Sequence, residues 1–208
     1  MEVGCGGGTE SLWAAMHGAS VVGIDILETL LAVAEARQRW IESIIEMPLP
    51  CVFLHRSVLD LDDTEGFGIV YLEQAFHHLE PRPAVIQKLA RLVRSGGYLI
   101  LSEANAWNPL LQIHLLRLRG ITTITTHQGH AWGHERITVP FALARQFKTH
   151  GFVVSGCEYF RVLPNLKCAD VALALDRKTP SWMKPLFTHY NLVLKKTEAM
   201  IPPSGCEH

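Results

Sequence analysis

The chain is poor in several things whose presence would have pointed elsewhere. No apolar run in its 208 residues reaches the length of a bilayer span. The N-terminus lacks the basic-then-apolar pattern of a secretory signal. Lys+Arg 19 against Asp+Glu 20 leaves no excess of either sign, which argues against an extended nucleic-acid groove. Cysteines are few: Cys5, Cys51, Cys157, Cys168 and Cys206 are odd in number and have no paired short spacing. They fit neither a disulfide frame nor a zinc ribbon, and they predict reduced thiols in a cytoplasmic protein. Repeats and low-complexity tracts are missing too. The length suits a single α/β domain over residues 1–208, enough to bury a sheet between two helix layers.

What is present concentrates at the start. Glu2-Val3-Gly4-Cys5-Gly6-Gly7-Gly8 is a glycine-rich turn, and Asp25 closes the next apolar run. A turn of this kind, followed by an acid about twenty residues later, binds the adenosine part of a nucleotide-like cofactor. Glycine lets the backbone bend sharply and come close to a ligand. The helix that follows aims free N–H groups at a negative ligand group, and the later carboxylate accepts from ribose hydroxyls. A dinucleotide fingerprint counted from Gly4 needs its third glycine at position 9, which is Thr9. Here the glycines alternate at Gly4, Gly6 and Gly8, with Glu2 two residues ahead.

Strands and helices alternate through the first half, the signature of a parallel sheet covered on both faces. The periodicity predicts a helix over 9–17, a strand over 21–24 ending at Asp25, a helix over 27–45 and a strand over 51–54. It continues with a strand over 69–72, a helix over 83–94 stopped by Ser95-Gly96-Gly97, and a strand over 98–101. Residues 104–138 show no clean alternation. An insertion there lies beyond the C-terminal ends of the strands, where open α/β sheets bind ligands, and is expected to be a substrate-covering lid. A helix over 140–150, a strand over 152–160, a variable stretch and a last strand over 189–194 complete the chain.

The E-x-G-x-G-x-G pattern of Glu2 to Gly8 resembles the first motif of class I S-adenosylmethionine-dependent methyltransferases. Val21-Val22-Gly23-Ile24-Asp25 looks like that family's second-strand motif, and Leu92-Val93-Arg94-Ser95-Gly96-Gly97-Tyr98-Leu99 like its lead into the fifth strand. Phe76-His77-His78-Leu79 is similar to the small-molecule, type 11/12 branch typified by ubiquinone and menaquinone biosynthesis. The resemblance implies a Rossmann-like, doubly wound seven-stranded sheet of order 3-2-1-4-5-7-6, with only strand 7 antiparallel. It implies S-adenosyl-L-methionine as cofactor, with Glu2, Gly4, Cys5, Gly6 and Gly8 around its methionine end and Asp25 on the ribose. Ile26 would then lie against the adenine, Ser57 and Val58 along its edge, and Leu72 and Glu73 in the floor. For Ile26 and Leu72 ordinary core packing is an equal alternative.

Three departures stand out. Ser57 occupies a position where the family carries an acid for the adenine amino group, with Asp60 as a possible substitute. Gly68 stands where an aspartate commonly opens the fourth strand. The first strand is nearly absent, which predicts unpaired ladder groups, uncovered apolar surface and a late start or a fragment.

Methyl transfer from a sulfonium needs alignment and exclusion of water, helped by a positioned base when the acceptor is a hydroxyl or acidic carbon. His77 and His78, just past the fourth strand, are candidates, as is Glu103 at the end of the fifth; each competes with a purely structural role. His127, His130, His134 and Glu135 form a second cluster, in which His130 and His134 are candidate catalytic or substrate-contacting histidines. Their spacing matches no strong zinc motif and a lid is a poor place for a rigid site, so no metal is expected. Leu110, Leu111, His114, Leu115 and Leu118 share a helical face that either docks on the core or walls an apolar substrate. Asn108-Pro109 follows the fifth strand, whereas base-methylating enzymes place such a pair after the fourth, which argues against a nucleic-acid substrate. The expectation is methyl transfer to a small apolar or aromatic metabolite, without membrane insertion. A degenerate, non-catalytic scaffold is the rival and a dehydrogenase a distant third.

Overall fold

A computed structural model of the chain describes residues 1–62, 66–113, 137–161 and 169–198. Seven strands form one sheet: β1 (Glu2–Val3), β2 (Val21–Asp25), β3 (Cys51–His55), β4 (Phe67–Glu73), β5 (Val93–Ala104), β6 (Phe152–Phe160) and β7 (His189–Lys196). Their order is β3-β2-β1-β4-β5-β7-β6, with β7 antiparallel to both neighbours and the pairs from β3 to β5 parallel. The expected strand order and the lone antiparallel strand are both found.

The helices α1 (Thr9–Met16), α2 (Glu28–Ile45), α3 (Arg82–Leu92) and α4 (Pro140–Lys148) lie close to their predicted places. Pro83 and Pro140 stand in the first turns of α3 and α4, where a missing N–H breaks no helix bond. The larger core gathers Val70, Leu72, Leu89, Leu99, Leu101, Phe147 and Leu192 between the sheet and the pair α3 and α4. A smaller one, with Leu12, Ala15, Val21, Leu49 and Cys51, lies under α1 and α2.

Several boundaries differ from expectation for physical reasons. Ser95-Gly96-Gly97 does not end α3; the helix stops at Leu92 and the glycines lie inside a longer β5. The ladder slips between Phe67↔Val93 and Ile69↔Tyr98. A Cβ on Gly97 would stand 2.8 Å from the Gly68 carbonyl, and one on Gly68 3.2 Å from the Arg94 guanidinium. Gly68 therefore makes room for Arg94 in a tight β4–β5 crossing. The stretch read as irregular before β7 holds a helix, α5 (Ala169–Lys178), and a 3-10 segment at Ser181–Leu186.

The short β1 still pairs on both sides. The Met1 carbonyl accepts from Tyr71 N at 2.9 Å and the Met1 ammonium donates to Ile69 O at 2.8 Å, extending the ladder by one residue. Ile69 is half exposed. Of the insertion after β5, only its ends are described. Residues 109–113 are helical, Asn105 bridges Thr138, and Ala106 N donates to Thr138 O at 3.0 Å. The chain thus leaves and rejoins the sheet at the same point of the C-terminal strand edge.

Candidate active site

At that edge the glycine turn is drawn tight by backbone bonds. Gly4 N and Cys5 N both donate to the Ile24 carbonyl, at 2.8 and 3.0 Å, and Gly8 N donates to Cys5 O at 2.8 Å. Gly4 has φ 74°, and a Cβ there would fall 2.6 Å from the Ala75 methyl. At Gly8, the N-cap of α1 with φ 71°, it would meet Phe53 at 2.7 Å and Ala34 at 2.9 Å. Neither position admits a side chain without displacing the loop. Arg37 of α2 braces the outside, donating to Gly7 O at 2.7 Å and to Thr9 Oγ1 at 2.9 Å.

Asp25 ties this turn to the start of α2. Its Oδ2 accepts from Gly6 N at 2.8 Å and its Oδ1 from Leu27 N at 2.9 Å. Each oxygen keeps a further lone pair. A cavity of about 380 Å³ opens beside it, lined by Gly4, Gly6, Asp25, Ile26, Leu30 and Arg56, and by Ser57, Val58, Ala75, His78 and Leu79. That volume lies within the range of small-ligand pockets. Ile26 is 66% exposed, an apolar side chain left open beside a cavity whose other walls are largely apolar.

The predicted cofactor residues divide accordingly. Gly4, Gly6, Asp25, Ile26, Ser57 and Val58 come together around the cavity, whereas Glu2, Cys5, Gly8, Leu72 and Glu73 do not line it. Cys5 is buried, and its sulfur would lie 3.1 Å from a Cβ on Gly23. Burial, then the Glu2 and Asp25 carboxylates, push its thiol far above the usual range, so it packs as an inert group. Glu2 accepts from the Ser11 hydroxyl of α1. Burial raises its carboxyl to about 7, with the Ser11 bond acting the other way. Leu72 is fully buried in the core. Glu73 accepts from the Tyr71 hydroxyl at 2.9 Å, and the floor falls instead to Gln74, held at φ 48°, and Ala75. Ser57 caps the turn Val58–Asp60, accepting from Leu59 N at 3.3 Å, while Asp60 is exposed and outside the lining.

Next to this cavity stands a histidine–carboxylate pair. Glu103 is fully buried; its Oε1 accepts from Phe76 N at 2.7 Å and its Oε2 lies 2.7 Å from His77 Nδ1. A carboxylate at that distance accepts Nδ1–H, so the neutral ring carries its lone pair on Nε2. His78 stacks on His77 with ring centroids 4.0 Å apart and reaches the cavity wall. His130 and His134, with the lid face from His114 to Leu118, lie outside the described residues. Asn108 is an anchor: its side chain donates to Leu186 O and accepts from Leu111 N at 2.7 Å. Asn105, fully buried, donates to the carbonyls of Pro185 and Phe187 at 2.8 and 2.9 Å.

Residues 1–101 match the family model described as a methyltransferase domain. A ubiquinone biosynthesis O-methyltransferase of Nitrosomonas europaea is 29% identical over 157 residues, covering 75% of this chain and 64% of that protein. Another, from Pseudomonas putida, is 32% identical over 120 residues, covering 58% of this chain and 49% of the relative. The chain thus spans less than two thirds of the length of these two relatives. Among solved structures, an S-adenosylmethionine-dependent methyltransferase from Methanosarcina mazei superimposes with TM-score 0.67 at 16% identity, over 95% of this chain and 92% of that one. Magnesium protoporphyrin IX methyltransferase from Synechocystis, solved with bound S-adenosylhomocysteine, gives 0.64 at 19% identity over 94% and 72%. At these identities the solved structures establish the shared fold. The matched segment, residues 1–101 of 208, is similar to a methyltransferase domain, and the sheet has the fold of these solved structures.

Proposed function

We propose that this chain transfers a methyl group from S-adenosyl-L-methionine to a hydroxyl of a small, apolar or aromatic metabolite. The observation that carries the reading is the His77–Glu103 pair standing beside the cavity that Asp25 and the glycine turn enclose.

The residues present suit the cofactor. The Asp25 carboxylate has lone pairs left for ribose hydroxyls after taking the Gly6 and Leu27 amides. Ile26 and Val58 offer apolar surface to a purine, and Gly4 and Gly6 bring backbone to the wall of the same cavity. Bound there, the cofactor supplies a methyl group on a sulfonium, which an acceptor lone pair displaces in line. The protein's part is then orientation and proton removal. His77 Nε2 takes the proton of the acceptor hydroxyl as the oxygen–methyl bond forms. Glu103, fixed by the Phe76 amide, holds the ring in that tautomer and offsets the imidazolium charge. The names of the ubiquinone biosynthesis O-methyltransferase relatives support an oxygen acceptor.

Calorimetric titration with S-adenosylhomocysteine tests the first half: binding that Asp25→Ala weakens by ~100-fold supports an enzyme, and no binding supports a scaffold. Labelled methyl transfer into cell extract, followed by mass identification of the product, tests the second.

A further inference from the structure

The helices that cover the smaller core keep their largest apolar side chains out of it. Leu12 and Ala15 of α1, and Leu31 and Ala34 of α2, are buried toward the sheet. Trp13, 60% exposed, and Met16 stay outside on α1, while Val33, Trp40 and Ile44 stay outside on α2. Trp40 is 66% exposed.

These residues line one seam. Arg37 of α2 reaches across to Gly7 O and Thr9 Oγ1, which sets the Arg37 side of α2 against the Thr9 side of α1. Val33, Trp40 and Ile44 stand three, four or seven residues from Arg37, on the same side of the helix. Trp13 and Met16 stand in the same relation to Thr9. A contiguous apolar seam with two open indoles is what an interaction surface presents, in contrast to apolar residues scattered singly.

The order of residues along α2 points to the occupant. Its open apolar residues are Val33, Ala36, Trp40, Ile44 and, just past the helix end at Ile45, Met47. Ala36 and Ile44 are each four residues from Trp40, and Val33 and Met47 each seven, so the stripe reads the same in both directions. A two-fold axis reverses a helix against its copy in just this sense. Antiparallel α2 helices meeting at Trp40 bring small Ala36 opposite larger Ile44, and Val33 opposite Met47. A partner of unrelated sequence supplies no reason for that symmetry.

Charge and area agree with it. The cations that border the stripe are already satisfied, Arg37 by Gly7 and Thr9, and Arg39 by Glu35 at 3.8 Å. Contact therefore strands neither of them without a partner. The open area of the apolar side chains is ~700 Å² per copy, near the ~800 Å² that each partner gives to a standard interface.

We propose that the α1–α2 face is a self-association surface, where a second copy of this chain packs α2 against α2, antiparallel, about a two-fold axis at Trp40. The proposal goes beyond the methyl-transfer reading, and neither depends on the other.

Sedimentation equilibrium of the full chain, from low to high micromolar concentration, tests it. The expected mass rises from that of one chain to that of two and stops there, because a two-fold interface closes. Trp40→Glu sets two carboxylates against each other at the axis and weakens association by ~100-fold or more. Ile44→Glu, away from the axis, weakens it by ~10-fold. The register is read with a short thiol cross-linker. A mixture of the Ala36→Cys and Ile44→Cys chains gives more covalent dimer than either alone, above the level set by the parent's own cysteines. A one-chain mass at every concentration, growth past two chains, association untouched by Trp40→Glu, or equal cross-linking of mixed and separate chains overturns the proposal. Circular dichroism melts in dilute solution confirm that the variants, all at exposed positions, fold as the parent does.

Discussion

The two halves of the cleft are built by different means. On the β1–β2 side the pocket proposed for the cofactor is made of backbone: three alternating glycines, amides of Gly6 and Leu27 on one carboxylate, and a helix start. On the β5–β7 side the work is done by side chains that reach across the chain: Glu103 to His77, Asn105 to Pro185 and Phe187, Thr188 to Arg161. A backbone pocket tolerates change in most of its side chains but none in its dihedral angles. A side-chain site behaves in the opposite way, because each clip can be cut without disturbing the strand that bears it.

Substitutions in the two halves should therefore separate binding from turnover. The largest effect is expected at Gly4→Val. Its Cβ meets Ala75 in a backbone region closed to valine, and calorimetry should detect no S-adenosylhomocysteine binding. If Gly4→Val binds normally, the backbone account of that half is wrong. Asp25→Ala, which leaves the Gly6 and Leu27 amides without their acceptor, should weaken the same ligand by ~100-fold.

Across the cleft, His77→Ala should lower turnover by ~100-fold or more while cofactor affinity stays within about twofold. Added imidazole should restore part of the rate. Glu103→Gln should cost less, ~10-fold, since it keeps the shape and loses the charge. A His77→Ala variant that loses cofactor affinity in proportion to rate would merge the two halves into one.

A smaller effect concerns stability and again distinguishes the two sides by sign. The folded-state pKa of Glu2 is raised to about 7, so its contribution is complete below 4.5 and is lost as pH rises through 7. His189 is lowered to about 4, so its contribution is complete above 6.5 and is lost as pH falls through 4. Melting temperatures of Glu2→Gln should rise relative to the parent between pH 4.5 and 7, by the equivalent of at most about 3 kcal/mol. Those of His189→Gln should rise relative to the parent as pH falls from 6.5 to 4. Parallel melting curves for either variant and the parent would remove the corresponding group from the account. The smallest change is expected at Asn108→Ala, a loss of ~1–2 kcal/mol in stability from the cut tie to the Leu186 carbonyl.

Much of the lining of this cavity could be read from residue order, for a reason visible at particular positions. Gly4, Gly6, Gly8 and Asp25 lie within one strand–turn–helix–strand unit, so their spacing in sequence fixes their spacing in space. Ile26, Ser57 and Val58 follow at the ends of the next strands and reach the same cavity. Leu72 and Glu73 fell one step short. Gln74 at φ 48° bends the chain there, bringing itself and Ala75 into the floor, and no pattern of residue types announces such a bend. Periodicity also overlooked α5, a ten-residue helix. It placed the end of α3 at glycines that a close strand crossing keeps inside β5.

The chain's own order of residues determined the alternating architecture, the glycine turn and the carboxylate that braces it, because these depend on neighbours in sequence and on backbone sterics. The strand order was implied by resemblance, and only folding realised it. Tertiary structure alone decided that Glu103 would hold His77 from 26 residues away and that Arg161 would be pinned beside Phe160 and His189. Those partners meet only where strands distant in sequence end on a common edge. Burial, which raises the Glu2 carboxyl and lowers the His189 ring, exists only once the sheet has formed.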